Sequence, residues 1–115
     1  MAPSALDDVT ILDISQGIAG PLCAKLLGDF GADVIKVEPP AGDTARSMGP
    51  FFHDDPHPEQ SLLFLLANLN KRGITLDLLR ATGAAILNML LERADVVVEN
   101  FPPAYATSLG LDYPS

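Results

Sequence analysis

The sequence predicts an α/β fold in which helices flank a parallel β-sheet. Short runs of β-branched and aliphatic residues alternate along the chain with longer segments whose apolar residues recur at helical spacing. Such alternation is typical of parallel sheets. Hydrophobic residues make up 48% of the 115-residue chain, which is enough for the packed core of one domain. We therefore expect right-handed connections, and ligands bound beyond the carboxyl ends of the strands.

The first β-α-β unit covers residues 9–38. Val9 to Ile14 has the pattern of a buried strand, and Gly20-Pro21 opens a helix where proline loses no hydrogen bond. Gly31 follows as a C-terminal cap, and Asp33 to Glu38 is the second strand. The apolar face of the helix, which we expect in the core, consists of Leu22, Cys23, Leu26, Leu27 and Phe30.

The second half of the chain continues the alternation after a long loop, residues 41–59, that is rich in Gly, Pro, Asp and His. Ser61 to Asn70 is nearly all apolar and predicts a buried helix or, less favourably, a strand. The remaining predicted elements are a strand at Gly73–Leu78, a helix at Arg80–Ala94, a buried strand at Asp95–Glu99 and a helical turn at Ala104–Leu109. A helix-start signal at Asp112 and Pro114 makes us expect a chain that continues past Ser115.

Charge and composition exclude several classes of partner. The chain has 7 Lys and Arg against 15 Asp and Glu, a formal charge of −8, which disfavours nucleic acid and anionic membranes. The longest apolar run, Leu62 to Ala67, is far shorter than the ~20 residues of a membrane span. Cys23 is the only cysteine, and residues 1–10 lack a signal-peptide pattern. We therefore expect a cytoplasmic protein.

The turn after the first strand is the strongest candidate for a binding site. Small residues at Gly17, Ala19 and Gly20 let a ligand approach the backbone, and the following helix offers free N–H groups. This pattern favours an anion or nucleotide site, although the turn lacks both the GxGxxG and the P-loop motifs. The alternative is that Gly17 and Gly20 only make a tight turn.

Other polar residues are weaker candidates. Lys71-Arg72, the only adjacent basic pair, could neutralise phosphates or be two solvated turn charges. Lys36 is expected to bury its stem and leave its ammonium group free. The stretch HDDPH, residues 53–57, lacks a scaffold for metal binding, so no metal is expected. Ser15 has no recognisable His or Lys partner that would make it a nucleophile.

Four motifs resemble the N-terminal part of the class III CoA-transferases. In chain order they are ILDISQGIAGPLCAKLLGDFGADVIKVEPPAGDTAR, NLNKRGITLDL, ADVVVENFPP and LGLDYPS. This family includes formyl-CoA and carnitine-CoA transferases and also alpha-methylacyl-CoA racemases. The resemblance covers residues 8–115 and leaves residues 1–7 as a tail. It implies a Rossmann-like, CoA-binding segment, truncated before the catalytic region, of a homodimer whose two subunits interlock.

The resemblance also implies where CoA binds. Contacts in the family match the turn at Ile18-Ala19, the stretch Leu76 to Leu79, and the pair Asn100-Phe101. The substrates would be an acyl-CoA and a carboxylic acid, without a metal. With the basic pair added, the candidate CoA-binding residues are Ile18, Ala19, Lys71, Arg72, Leu76, Asn100 and Phe101.

The sequence departs from the family at four positions that commonly carry basic residues. Pro39, Leu79, Pro102 and Ser108 stand there, and Arg80 lies one position late for Leu79. Because cations pair with phosphates, we expect this chain to hold CoA more weakly than a typical member does.

The catalytic nucleophile that the resemblance implies is an aspartate that forms a mixed anhydride and then a thioester. Its motif lies beyond residue 115, and it matches none of Asp7, Asp8, Asp13, Asp29 and Asp33. We therefore expect the N-terminal CoA-binding part of a class III CoA-transferase, without a catalytic residue of its own. The alternatives are an acyl-CoA racemase of the same family, a non-catalytic nucleotide-binding fragment, and a remnant that does not fold stably.

Overall fold

The protein is described by a computed structural model that covers residues 3–111. Its four strands form one parallel sheet in the order β3-β2-β1-β4. The strands are β1 at Thr10–Asp13, β2 at Asp33–Glu38, β3 at Lys71–Thr75 and β4 at Val96–Val98. The prediction of an α/β fold with a parallel sheet is confirmed.

Within residues 3–111, three helices and two 3₁₀ turns lie between the strands, and a fourth helix follows β4. The helices are α1 at Ala19–Asp29, α2 at Leu62–Ala67, α3 at Ala81–Arg93 and α4 at Pro103–Ser108. The long loop carries its 3₁₀ turns at Thr44–Ser47 and Phe52–Asp54. Ser61 caps α2, because its side chain accepts a hydrogen bond from the backbone N–H of Phe64. The helix-start signal at Asp112 and Pro114 lies outside the described residues.

The hydrophobic core lies on both faces of the sheet because side chains of a strand alternate between them. Ile11 and Val34 point to one face and pack against Ala24 of α1. Leu12 and Val37 point to the other face, where they pack with Leu87 of α3. Helices α1 and α3 lie on opposite faces because their right-handed crossovers, β1 to β2 and β3 to β4, run in opposite directions across the sheet.

Helix α1 packs on the sheet mainly through its small residues, so the predicted apolar face is wrong except at Leu27, which packs against the core. Gly20, Pro21 and Ala24 are the buried residues of this helix. Cys23, predicted in the core, is exposed, and Phe30 is 62% exposed. The physical reason is that small side chains let the helix backbone lie close to the strands, which turns the larger apolar residues outward.

Two strands also differ from the prediction. The strand predicted to be buried, β4, has Val96 at 40% exposure, because β4 forms an edge of the described sheet and pairs on one side only. Strand β3 begins at Lys71 and ends at Thr75, two residues earlier at its start and three earlier at its end than predicted. Leu78 instead packs against the core on the α3 face. Among residues 3–111, no helix is long and apolar enough to cross a membrane.

Candidate functional site

The site lies where the order of the strands reverses. Helix α1 leads from β1 to its neighbour β2, whereas α3 leads from β3 to β4 on the far side of β1. Ligands of open α/β sheets bind at such a switch point, beyond the carboxyl ends of the strands. Here the side chain of Asn100, just after β4, reaches the turn after β1. Asn100 Oδ1 accepts a hydrogen bond from the backbone N–H of Gln16 at 3.0 Å. Asn100 Nδ2 donates to the Gln16 carbonyl at 2.6 Å.

The turn after β1 exposes its backbone to a ligand at the switch point. Gly17 has a φ of 84°, a conformation that favours glycine, and Ile18 is 48% exposed. A Cβ at Gly20 would overlap the Ser15 side chain, so this position needs glycine. The first N–H groups of a helix have no acceptor within it and carry positive partial charge, so the start of α1 at Ala19, which is exposed, suits an anion.

A cavity of about 300 Å³ opens beside the turn, on the α3 face. We call it the switch-point cavity, and its lining residues are Ile14, Gln16, Val37, Pro39, Pro40, Ala41, Asp77, Leu78, Leu79, Phe101 and Tyr105. The rings of Phe101 and Tyr105 pack edge to face, with their centres 4.9 Å apart. Apolar and aromatic walls with few polar groups suit a flat heterocycle such as a nucleobase.

The structure brings some of the predicted site residues together. Phe101 lines the switch-point cavity, and Asn100 holds Gln16, which lines it too. Leu76 does not line it, because its side chain packs in the core of the α3 face. Leu78 and Leu79 of the same predicted stretch do line the cavity.

Lys71 lies beneath the other face of the sheet. Its ammonium group donates to Asp13 Oδ2 at 2.7 Å, to Asn68 Oδ1 at 2.7 Å and to the Pro21 carbonyl at 2.8 Å. All three of its N–H groups are thus used within the protein. Burial lowers the pKa of Lys71 below its ordinary value, although the Asp13 carboxylate acts to raise it. Contact between Lys71 and a ligand stays a prediction.

Arg72 lies away from the switch point. Its guanidinium Nη2 is 2.7 Å from Asp33 Oδ2, at the amino end of β2. The side chain is largely exposed, and it lines a different cavity together with Thr10 and Arg93. The structure therefore does not bring Arg72 together with Asn100 and Phe101, and its contact with CoA also stays a prediction.

A buried charge network under the turn was not predicted. Lys36 is 2% exposed, so the prediction that its ammonium group is free is wrong. Its Nζ lies 2.7 Å from Asp43 Oδ2 and 3.9 Å from Asp13 Oδ2, and it donates to the Ser15 carbonyl at 3.1 Å. Buried charges require such partners. The network thus fixes the end of β1 against the long loop.

Asp43 connects the network to the turn. Its Oδ1 accepts hydrogen bonds from the backbone N–H groups of Gly17 at 2.8 Å and Ala45 at 2.9 Å. Burial raises the pKa of the Asp43 carboxyl, but the hydrogen bond from Gly17, the Lys36 ammonium group and the hydrogen bond from Ala45 bring it below its ordinary value. Asp43 is therefore an ionised acceptor that holds Gly17 in place.

Arg46 fastens the long loop to the end of β2. Its Nε and Nη2 donate to the Glu38 carboxylate at 2.7 and 2.8 Å, and its Nη1 donates to the Pro58 carbonyl at 3.1 Å. The guanidinium group also lies 3.9 Å from the centre of the Phe64 ring. Between residues 3 and 111, no three His, Cys, Asp or Glu side chains are grouped so that they could hold a metal ion.

Comparison with curated proteins finds several CoA-transferases. The chain is 48% identical over 97 residues to succinyl-CoA:mesaconate CoA-transferase of Haloarcula hispanica, covering 84% of this chain and 24% of that protein. It is 44% identical over 110 residues to formyl-CoA:oxalate CoA-transferase of Afipia carboxidovorans, covering 95% and 25%. The chain thus spans about a quarter of the length of these relatives.

Solved structures give the same result. A CaiB/BaiF family protein from Brucella suis superposes with a TM-score of 0.85 at 38% identity, over 97% of this chain and 30% of that one. A Mycobacterium tuberculosis protein superposes with a TM-score of 0.81 at 37% identity, over 95% and 28%. The sequence profile of the family described as CoA-transferase family III matches residues 6–115. This chain belongs to CoA-transferase family III.

Proposed function

We propose that this chain is the N-terminal CoA-binding part of an enzyme that transfers CoA between carboxylic acids. The switch-point cavity takes the nucleotide end of CoA, and the turn at Ile18-Ala19, which follows Gln16 of the lining, contacts the same ligand. Because none of the five aspartates considered above matches the nucleophile motif of the family, we assign the chain the binding of CoA and not the chemical step.

One observation carries this proposal. The Asn100 side chain makes two hydrogen bonds with the Gln16 backbone, which joins the segments after β1 and β4 at the switch point. Phe101 follows directly and offers a ring in the adjoining cavity. Two segments that are 84 residues apart in the chain, and that the resemblance assigned to CoA separately, thereby form one site.

The groups at the site have distinct roles in this proposal. The aromatic and aliphatic walls of the cavity hold the adenine ring, with Phe101 against one of its faces. The free N–H group of Ala19, at the exposed start of α1, donates to the diphosphate, which the positive end of the α1 dipole also attracts. Asp43 and Asn100 keep the turn in the conformation that presents that N–H group.

Transfer of CoA is favoured over racemisation by the relatives named above, which are CoA-transferases. Racemisation next to a thioester carbonyl would need an acid and a base instead of a nucleophile. The acceptors in the names of the two relatives differ, mesaconate in one and oxalate in the other. We therefore propose a carboxylic acid as a class and no particular acid.

Isothermal titration calorimetry with CoA tests this proposal. We expect binding by the 115-residue chain that weakens about tenfold or more in Phe101→Ala, because stacking on an aromatic ring contributes roughly 1–3 kcal/mol per base. Phe30→Ala, a control at an exposed position directly after α1, should bind CoA as the wild type does. Absence of binding by the wild type, or equal losses in both variants, would contradict the proposal.

We also expect CoA binding to be weaker than in family members that carry the basic residues. Pro39 and Leu79 line the switch-point cavity at two of the four replaced positions. A dissociation constant of the complete enzyme for CoA in the usual range of the family, measured by calorimetry, would contradict this expectation.

A further inference from the structure

The switch-point cavity contains one charged side chain, and that charge is negative. Of its eleven lining residues, Asp77 is the one Asp or Glu, and among residues 3–111 no Lys or Arg is part of the lining. Leu79, at the rim, is 82% exposed and apolar. The cavity therefore offers a ring surface and polar edges but no cation to a ligand.

Most Lys and Arg side chains of the chain are paired with carboxylates. Six of the seven Lys and Arg side chains form ion pairs with carboxylates. The pairs are Lys25–Asp29, Lys36–Asp43, Arg46–Glu38, Lys71–Asp13, Arg72–Asp33 and Arg80–Asp77. The seventh cation, Arg93, lines the cavity at the amino end of the sheet.

Arg80 is the cation nearest in sequence to the cavity lining, and it does not give the cavity a net positive charge. Its Nε lies 3.2 Å from Asp77 Oδ2 in an exposed pair that is easily broken. If Arg80 moved to a phosphate, the Asp77 carboxylate in the lining would lose its partner. The two residues together thus contribute no net positive charge to a ligand in the cavity.

These charges decide which part of CoA the chain can recognise. The 3′-phosphate of CoA is a monoester with about two negative charges at pH 7, and proteins usually bind such a group with Arg or Lys. The N–H groups at the N-terminus of α1 can bind the diphosphate. They cannot bind the 3′-phosphate at the same time. A 3′-phosphate beside the cavity would meet Asp77 and a chain of net charge −8.

We infer that the switch-point cavity recognises the adenosine and diphosphate of CoA and does not select for the 3′-phosphate. This inference rests on the proposed function, because it takes CoA as the ligand of the cavity. The ligand class is then that of adenosine diphosphate esters of pantetheine, with or without a 3′-phosphate. 3′-Dephospho-CoA binds to this chain about as tightly as CoA does.

Calorimetric titration of the 115-residue chain with CoA and with 3′-dephospho-CoA, at low ionic strength, tests the inference. We expect the two dissociation constants to agree within about threefold, because no charge pair distinguishes the ligands. Tenfold tighter binding of CoA would overturn the inference while leaving the proposed function intact. Failure of both ligands to bind would overturn the proposed function and this inference with it.

A variant that supplies the missing cation gives a second test. In Leu79→Arg, a substitution at an exposed position, we expect CoA to bind about tenfold tighter than 3′-dephospho-CoA at low salt. Met89→Arg adds the same charge at an exposed position of α3 outside the lining, and should leave the two ligands equal. Equal affinities for the two ligands in Leu79→Arg would contradict the inference.

Discussion

At the scale of single residues, Asp43 connects three segments at the carboxyl edge of the sheet. Its carboxylate accepts from Gly17 and Ala45 and pairs with the buried ammonium group of Lys36. Removing one partner of a buried pair leaves the other charge without compensation. The conformation of the turn therefore depends on a side chain of the long loop.

Replacing Asp43 with Asn should destabilise the fold. We expect the free energy of unfolding to fall by about 3 kcal/mol, because Lys36 would remain buried with its charge uncompensated apart from Asp13 at 3.9 Å. Urea unfolding followed by circular dichroism at pH 7 measures the change. Asp29→Asn, which breaks the surface pair with Lys25, should have no measurable effect. Equal stability of the two variants would show that the network does not hold the turn.

The same carboxylates predict sensitivity to acid. Burial raises the pKa of Glu38 and of Asp43, but the Arg46 and Lys36 side chains and backbone N–H groups bring both below their ordinary values. The unfolded chain then takes up protons first as the pH falls, so these groups stabilise the fold fully at neutral pH and less below about pH 4. Urea midpoints between pH 7 and pH 3 should decline less steeply in Asp43→Asn. Parallel declines would contradict this assignment.

Lys36 and Lys71 illustrate what one sequence can reveal at this scale. A charged residue inside a strand that is predicted to be buried on both faces must have a partner. Asp13 and Lys36 are two such residues, so the sequence indicates that each of them is paired. The pairing itself depends on the register in which β2 aligns with β1 and β3, which brings Lys71 to Asp13. Register is a tertiary property, so a lysine that looks available in sequence is buried in the structure.

At the scale of elements, the approach of α1 to the turn after β1 depends on Gly20. A methyl group there would overlap the Ser15 side chain, so we expect Gly20→Ala to lower the free energy of unfolding by about 2 kcal/mol. Gly73→Ala is the matched control, because a Cβ at Gly73 meets nothing within 4 Å. Thermal unfolding of both variants tests the difference. A smaller loss in Gly20→Ala than in Gly73→Ala would contradict the close packing of α1.

The hydrophobic pattern of the sequence predicted where the helices and strands lie better than it predicted which of their residues are buried. The periodicity located α1, α3 and three of the strands to within a few residues, since these patterns follow from local geometry. They could not show that α1 buries its small residues and turns Phe30 outward, or that β4 is an edge strand. Both depend on which neighbours surround an element. For the same reason, the meeting of Asn100 with Gln16 follows from strand order and not from spacing.

At the scale of the whole molecule, α1 and α2 present a wide apolar surface. The two helices contact each other, and their exposed apolar residues are Leu22, Leu26, Phe30, Leu62, Leu65 and Leu66. Exposed apolar patches of this kind usually mark an interface. We propose that this surface is covered in the homodimer that the family resemblance implies.

Self-association of the chain tests this proposal. Sedimentation velocity over a concentration series should show a dimer or larger species in the wild type, because burial of the surface removes apolar area from water. The double variant Phe30→Ser and Leu66→Ser should associate less, whereas Met89→Ser on α3 should behave as the wild type. A wild type that stays monomeric throughout the series would contradict the proposal.

The central claim is that the segments after β1 and β4 form one CoA site at the switch point. A two-dimensional amide NMR spectrum of the 115-residue chain, recorded with and without CoA, tests it most directly. We predict dispersed peaks, with shifts on titration at Gln16, Ile18, Ala19, Asn100 and Phe101 and none at Arg93. An unchanged spectrum, or shifts confined to Arg72 and Arg93 at the amino end of the sheet, would contradict it.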